Sequence, residues 1–231
     1  MLVLFDIDQT LVDTQGAGVG ALRDAALEVF GKAFTSDGVS FAGRIDPLIL
    51  AELLRANGVE PSEANAAALR HAYAQRLENA LEGRCLSLPG THELVDALER
   101  IERLTLGVLT GNYAETGRVK LRAAGLDPDR FVVQAWGGDS PHWPPAREHL
   151  PHVAMARYRE AIGESVEPAL VTIIGDTPHD VACALSAGCR ALGVATGFSS
   201  AGDLREAGAH LVVKDLSATE EIMRWLLNGK A

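Results

Sequence analysis

Two aspartates one residue apart, Asp6 and Asp8, follow at once on the apolar run 2–5. On an extended segment, positions i and i+2 project to the same side. Carboxylates held together repel each other, and a proton or a cation must relieve them. A short Asp-x-Asp also occurs as a solvated turn at a strand end, so the pair gains meaning from its company. A second acidic cluster, Gly175-Asp176-Thr177-Pro178-His179-Asp180, follows the apolar run 170–174. Pro178 suits the first turn of a helix, and an acid near that end complements the helix dipole. Asp180 stands four residues after Asp176, so one turn can bring both acids to one edge. A third cluster is Leu109-Thr110-Gly111-Asn112. A hydroxyl, a glycine allowing close approach and N–H groups at a helix start make an anion site. Thr and Asn are also ordinary capping residues. An anion held among acids needs a positive group besides.

Each cluster closes a short apolar run. The runs 2–5, 106–109, 131–133, 170–174, 191–194 and 211–213 read as strands buried on both faces of a parallel sheet. From position 90 onward helical segments alternate with them, at 91–103, 114–124 and 150–162, which is the pattern of βαβ units. Ligands of such open sheets bind at the carboxyl ends of the strands. Residues 14–87 differ: stretches 21–30, 47–56 and 63–81 are helical with no convincing strand between them. The expected organisation is an α/β core from 1–13 and 88–231, interrupted by a helical insert at 14–87. Residues 136–147 form a loop rich in Gly, Pro and Trp.

Composition narrows the function. The chain has 231 residues, 47% apolar and 23% charged, which is ordinary for a globular protein. Its net charge of −10 opposes binding to nucleic acid or anionic membranes, which is driven by Lys and Arg. No apolar stretch approaches the roughly 18 residues of a membrane span. The start, Met-Leu-Val-Leu-Phe-Asp, lacks a basic segment and reads as a strand rather than a signal peptide. Cys85, Cys183 and Cys189 show neither a disulfide framework nor zinc spacing. The expectation is a cytoplasmic protein.

Asp-x-Asp-x-Thr after the first strand, Thr-Gly-Asn after the second and Gly-Asp-Thr-Pro-x-Asp after a later one resemble the haloacid dehalogenase-like superfamily. Their order and spacing resemble its phosphoglycolate-phosphatase-like branch, with a helical cap between the first two motifs. The likeness includes Leu88-Pro89-Gly90, where the core resumes. It implies a three-layer α/β/α Rossmann-like core with a mainly parallel sheet and an inserted cap. It implies Asp6 as nucleophile and Asp8 as general acid and base. It implies Mg²⁺ held by the Asp6 carboxylate, the Asp8 backbone carbonyl and Asp176, with Asp180 in support. Thr110, Gly111 and Asn112 would hold the phosphoryl group of a small phosphorylated metabolite. The physics agrees, because a carboxylate attacking a phosphate dianion needs charge relief and its leaving alkoxide needs a proton.

The resemblance also implies one cation, usually Lys. Lys120, on the helix after Thr110 and expected at the surface, competes with Arg147, which lies at about the expected distance before Asp176. Arg147 is favoured, since its forked guanidinium suits phosphate. Gln9 stands where the family commonly has Gly. Phe41-Ala42-Gly43-Arg44-Ile45-Asp46 resembles the segment that such caps dip toward the site, so Gly43 and Arg44 are candidate substrate contacts; the alternative is an Arg44–Asp46 pair. Histidines 142, 149 and 152 are expected to be solvated or packed. Trp136 and Trp143 are candidates for the site entrance, and Trp225 for packing a terminal helix. A phosphatase is the leading reading. 2-Haloacid dehalogenation, which does not place an acid at Asp8, phosphomutation, and a non-hydrolytic phospho-acceptor or binding role are the competitors. The sequence leaves the ester and the oligomeric state open.

Overall fold

The computed structural model describes residues 1–228. In chain order its elements begin with β1 (Leu2–Phe5), β2 (Val12–Asp13), α1 (Ala17–Phe30), α2 (Asp46–Ala56), α3 (Glu63–Leu81) and β3 (Leu86–Ser87). They continue through α4 (Thr91–Glu99), β4 (Thr105–Leu109), α5 (Ala114–Ala123), β5 (Val133–Ala135), α6 (Leu150–Ile162), β6 (Val171–Gly175) and α7 (Pro178–Ser186). The last are β7 (Arg190–Val194), α8 (Ala201–Glu206), β8 (Leu211–Val213) and α9 (Thr219–Asn228). Six strands form one parallel sheet in the order β5-β4-β1-β6-β7-β8. The chain builds outward from β1 on one side, then returns to start again at β6. That reversal beside β1 opens the crevice in which such sheets bind ligands.

The layers follow from β1. Val3 and Phe5 join one apolar cluster with Leu94, Val95 and Leu98 of α4 and Leu121 of α5. Leu2 and Leu4 point the other way, into a cluster with Leu150 and Ala154 of α6 and Val181 of α7. Successive side chains of a strand alternate between its faces, so an uninterrupted apolar run is buried on both. Helices therefore cover each face, the α/β/α arrangement expected. Among the described residues no helix is long and apolar enough to cross a membrane.

Some boundaries differ from expectation for local reasons. The run 131–133 is not a strand throughout: Asp127 caps a 3-10 turn at Pro128–Arg130, and pairing begins only at Val133. The apolar character of Phe131 comes from core packing, its ring lying 6.3 Å from that of Phe5, edge to face. α4 stops at Glu99, and Arg103 adopts a left-handed φ of 62° before β4. α1 starts at Ala17, four residues before the expected 21, because Gly18 and Gly20 sit inside it. A Cβ on Gly18 would stand 3.2 Å from the Tyr73 hydroxyl of α3, so the glycine lets these helices approach. The segment 14–87 also contains a strand that periodicity over two residues could not reveal. β3 pairs antiparallel with β2, Val12 opposite Ser87 and Asp13 opposite Leu86, where the chain leaves and rejoins the core.

Gly90 follows that return. Its φ is +81°, and a Cβ there would lie 2.0 Å from the Ser217 nitrogen. Gly90→Ala combines left-handed strain with a backbone collision, so it should lower the unfolding free energy by about 2 kcal/mol or more. A fall in the urea midpoint at unchanged slope measures this.

Candidate active site at the carboxyl edge of the sheet

β1 ends by delivering Asp6, which is 5% exposed, and the Asp6 N–H donates to the Ile174 carbonyl at 2.9 Å. The parallel pairing with β6 thus extends one residue beyond the strand and fixes where the carboxylate stands. The chain then turns back, with the Gln9 N–H donating to the Val12 carbonyl at 2.8 Å. Gln9 has φ 57°, the left-handed region that a glycine enters without steric cost. Its carbonyl accepts from the Thr196 hydroxyl, and its side-chain amide donates to Asp13 at 2.9 Å.

Asp8 lies half-buried on the cleft. Lys120 Nζ donates to both its carboxylate oxygens, at 2.8 and 2.7 Å, and to Asn112 Oδ1 at 2.6 Å. The Asn112 amide donates to Asp8 at 2.7 Å and to the Thr110 hydroxyl at 2.8 Å. Lys120 is therefore a correction to the sequence reading: it is buried, not a surface residue. Helical side chains lean toward the N-terminus, and its long stem reaches back along α5 to the strand ends. Burial opposes its charge, but Asp8 and Asp46 outweigh that and raise its pKa above the ordinary lysine value.

The second basic candidate stands on the other acids. Arg147 is buried, with Nη2 at 2.5 Å from Asp180 and 3.1 Å from Asp6. Burial disfavours its charge as well, and Asp180 and Asp6 more than restore it. Its Nε has no hydrogen-bond partner among the described residues. Asp180 is saturated, since its other oxygen accepts from the Thr177 N–H at 3.0 Å and hydroxyl at 2.6 Å in the capping box of α7. Asp176, after β6, is 3% exposed and receives one side-chain donor, the Thr10 hydroxyl at 3.4 Å. Gly197 backs it closely: a Cβ there would meet Asp176 Oδ2 at 1.8 Å.

Asp6, Asp176 and Asp180 bring carboxylate oxygens within 4.8 Å of one another. Burial raises the Asp6 carboxyl to about 6, with Asp180 and Asp8 adding to it and Arg147 opposing. Burial, then Asp180 and Asp6, push Asp176 to about 8. One guanidinium leaves this corner short of positive charge, and all-oxygen donors suit a hard divalent cation.

The helical insert meets this edge directly. The Asp46 N–H donates to the Gly111 carbonyl at 2.8 Å, and the Asp46 carboxylate accepts from the Tyr113 N–H at 2.9 Å. An acid of the insert thereby caps α5 of the core, whose own N-cap offers no side-chain bond. A Cβ on Gly111 would lie 1.9 Å from the Arg44 carbonyl, and one on Gly43 2.7 Å from Thr177 and His179. Gly43 and Arg44 do line the cleft. Arg44 pairs with neither a free anion nor Asp46; Glu52 takes it in two bonds of 2.5 Å. Trp136 is buried and Trp143 is 87% exposed, and neither lines the cleft. Trp225 lies on α9 with its ring 3.7 Å from the Arg190 guanidinium. His149 bonds Ser140 at 2.7 Å and packs against His142, and neither lines the cleft. Residues given no role from sequence also reach the cleft, Tyr73 of α3 and Phe198 beyond β7, beside the rival cation candidate Lys120 against Asp8. For Phe198 the signal was available, because it follows the carboxyl end of a parallel strand.

The profile of the haloacid dehalogenase-like hydrolases matches residues 3–194. A protein of Dickeya dadantii described as "Probable phosphatase IndB" is 28% identical over 221 residues, 94% of this chain and 90% of that one. A phosphoglycolate phosphatase of Chromobacterium violaceum is 26% identical over 152 residues, 66% of this chain and 63% of that one. Among solved structures, CbbY from Rhodobacter sphaeroides in complex with phosphate superposes with a TM-score of 0.73 at 20% identity, covering 94% of each chain.

The raised carboxyls make stability depend on pH. In chelator, folded Asp176 keeps a proton up to about pH 8, whereas in the unfolded chain an aspartate loses it near pH 4. The folded state then binds more protons across that window, so its stability falls as pH rises from about 4 to 8. Thermal melts should show a shallower loss for Asp176→Asn than for the unaltered chain. Equal slopes would contradict the charge balance described.

Proposed function

The chain belongs to the haloacid dehalogenase-like hydrolase family, and from that premise we propose that it hydrolyses a small phosphate monoester through a phosphorylated Asp6, with Mg²⁺ as cofactor. The observation that carries this reading is the division of labour between two carboxylates. Asp6 is buried against Arg147, while Asp8 faces the cleft in the grip of Lys120 and Asn112. A dehalogenase would have no use for the second acid. The phosphatase description of the Dickeya dadantii relative and the phosphate in the CbbY structure support the same substrate chemistry. Insert 14–87 acts in this reading as a cap over a catalytic core of 1–13 and 88–231. Small phosphorylated metabolites and buried free thiols suit the cytoplasmic location expected from the sequence.

The cation fits the donors on the page: the Asp6 carboxylate, the Asp8 carbonyl and Asp176, with Asp180 holding Arg147 beside them. When bound, Mg²⁺ would offset the repulsion between carboxylate and phosphate dianion and orient the two. The chain's residues supply the rest. Arg147 holds Asp6 in one orientation and leaves its carboxylate charged for attack on phosphorus. Thr110, Gly111 and Asn112 line the place where phosphoryl oxygens would sit, at the start of α5. As the ester P–O bond breaks, Asp8 gives its proton to the leaving oxygen. Asp8 then takes a proton from the water that attacks phosphorus, and phosphate departs with Asp6 restored. Lys120 and Asn112 aim the Asp8 carboxyl into the cleft through both steps.

Asp6→Asn should lower phosphate release by about three orders of magnitude or more, the scale seen when a nucleophile is lost, with an unchanged circular dichroism spectrum. Release by the unaltered chain should stop in chelator and return with Mg²⁺. A full rate in Asp6→Asn would remove the mechanism. Lys120→Met should reduce kcat by about 10- to 100-fold with KM little changed, because its target is proton transfer rather than binding.

A further inference from the structure

The cleft above Asp6 has a volume of about 370 Å³, at the lower end of small-molecule sites, which run roughly from 300 to 1,000 Å³. Its floor is acidic and polar, but its insert side is not. Val19, Leu22, Phe41, Ile49, Leu50 and Tyr73 line that wall. Three cations touch the cleft, and each already has a carboxylate partner, although Arg147 Nε carries no hydrogen bond among the described residues. Lys120 holds Asp8 and Asn112; Arg147 holds Asp180 and Asp6; Arg44 is closed by two bonds to Glu52. The remaining charged side chains in the lining are the acids Asp6, Asp8, Asp46 and Asp176. A second anionic group on a substrate would meet apolar carbon and like charge, with no free cation to receive it.

Two further observations point to what the wall takes. Tyr73 is 8% exposed and lines the cleft, with its hydroxyl beside Gly18 of α1 on the same wall. Phe198, by contrast, is 94% exposed at the cleft's edge. An exposed aromatic face beside an apolar wall fits a flat or apolar group between them. The Tyr73 phenol is the one neutral polar side chain among the six residues of that wall.

Resting on the phosphatase reading, we propose that the substrate is a monophosphate ester of an uncharged alcohol with an apolar or aromatic body, carrying one oxygen for Tyr73. Esters bearing a carboxylate or a second phosphate are excluded by the wall. Arg44, held by Glu52, shapes the cap rather than binding an anionic tail.

The test is kcat/KM of the full chain with Mg²⁺ on benzyl phosphate, glycerol 2-phosphate, phosphoglycolate and fructose 1,6-bisphosphate. Benzyl phosphate should exceed each of the two doubly anionic esters by about 100-fold. Val19→Lys places a cation in the wall at a position already 45% exposed on α1. That variant should shift the ratio of phosphoglycolate to benzyl phosphate upward by about tenfold. Tyr73→Phe should lower the ratio of glycerol 2-phosphate to benzyl phosphate in kcat/KM about fivefold, a split that general loosening of the cap would not give. Preference for phosphoglycolate or the bisphosphate, abolished by Asp6→Asn, would overturn the substrate class and leave the phosphatase reading standing. No release from any of the four esters would overturn both.

Discussion

Asp6, Asp8 and Asp176 follow the ends of β1 and β6, Asp180 stands in the first turn of α7, and only Arg147 and Lys120 oppose them at close range among the described residues. Each cation serves a different part of the cluster. Arg147 is committed to Asp6 and Asp180, Lys120 to Asp8, and Asp176 is left without a cationic contact. The raised carboxyls of Asp6 and Asp176 are the electrostatic record of that imbalance. Burying charge is tolerable only where a partner stands by. The sheet therefore holds a cluster of acids that could take a metal ion.

Much of the surrounding structure exists to keep these groups in place. Parallel pairing carried past the end of β1 fixes Asp6. The capping box of α7 occupies one oxygen of Asp180 and turns the other to Arg147. Gly197 and Gly175 let backbone approach Asp176 and Asp180 where any side chain would collide. The insert is tied to the same edge through Asp46, whose amide and carboxylate both bind the loop at 111–113. Closure of the cleft and the start of α5 thus share one residue.

The strands and the acids were legible because both are local signals: a short apolar run buried on two faces, followed by polar residues that cannot remain in a core. Gly111 and Asp180 could be read for the same reason. Lys120 could not. A lysine on an amphipathic helix looks solvated until the position of its partner is known, and Asp8 lies 112 residues away in sequence. Arg44 shows the same limit, since the nearer Asp46 competes for attention with Glu52 one helical face away. The register of β5 slipped because Phe131 is apolar for packing rather than for pairing. β2 and β3, at two residues each, are too short for any period to show.

Those two short strands have a consequence for how the molecule could change. Val12 faces Ser87 and Asp13 faces Leu86, so the chain departs for the insert and returns from it side by side. The intervening segment imposes no displacement on the ends it joins, and loop closure grows only slowly with the length enclosed. What lies beyond the ribbon can be lengthened, shortened or exchanged while β1 keeps its register and Asp6 its position. The ribbon works as a socket: the acids stay on the sheet, while the side chains that line the cleft from the plugged-in helices are free to drift.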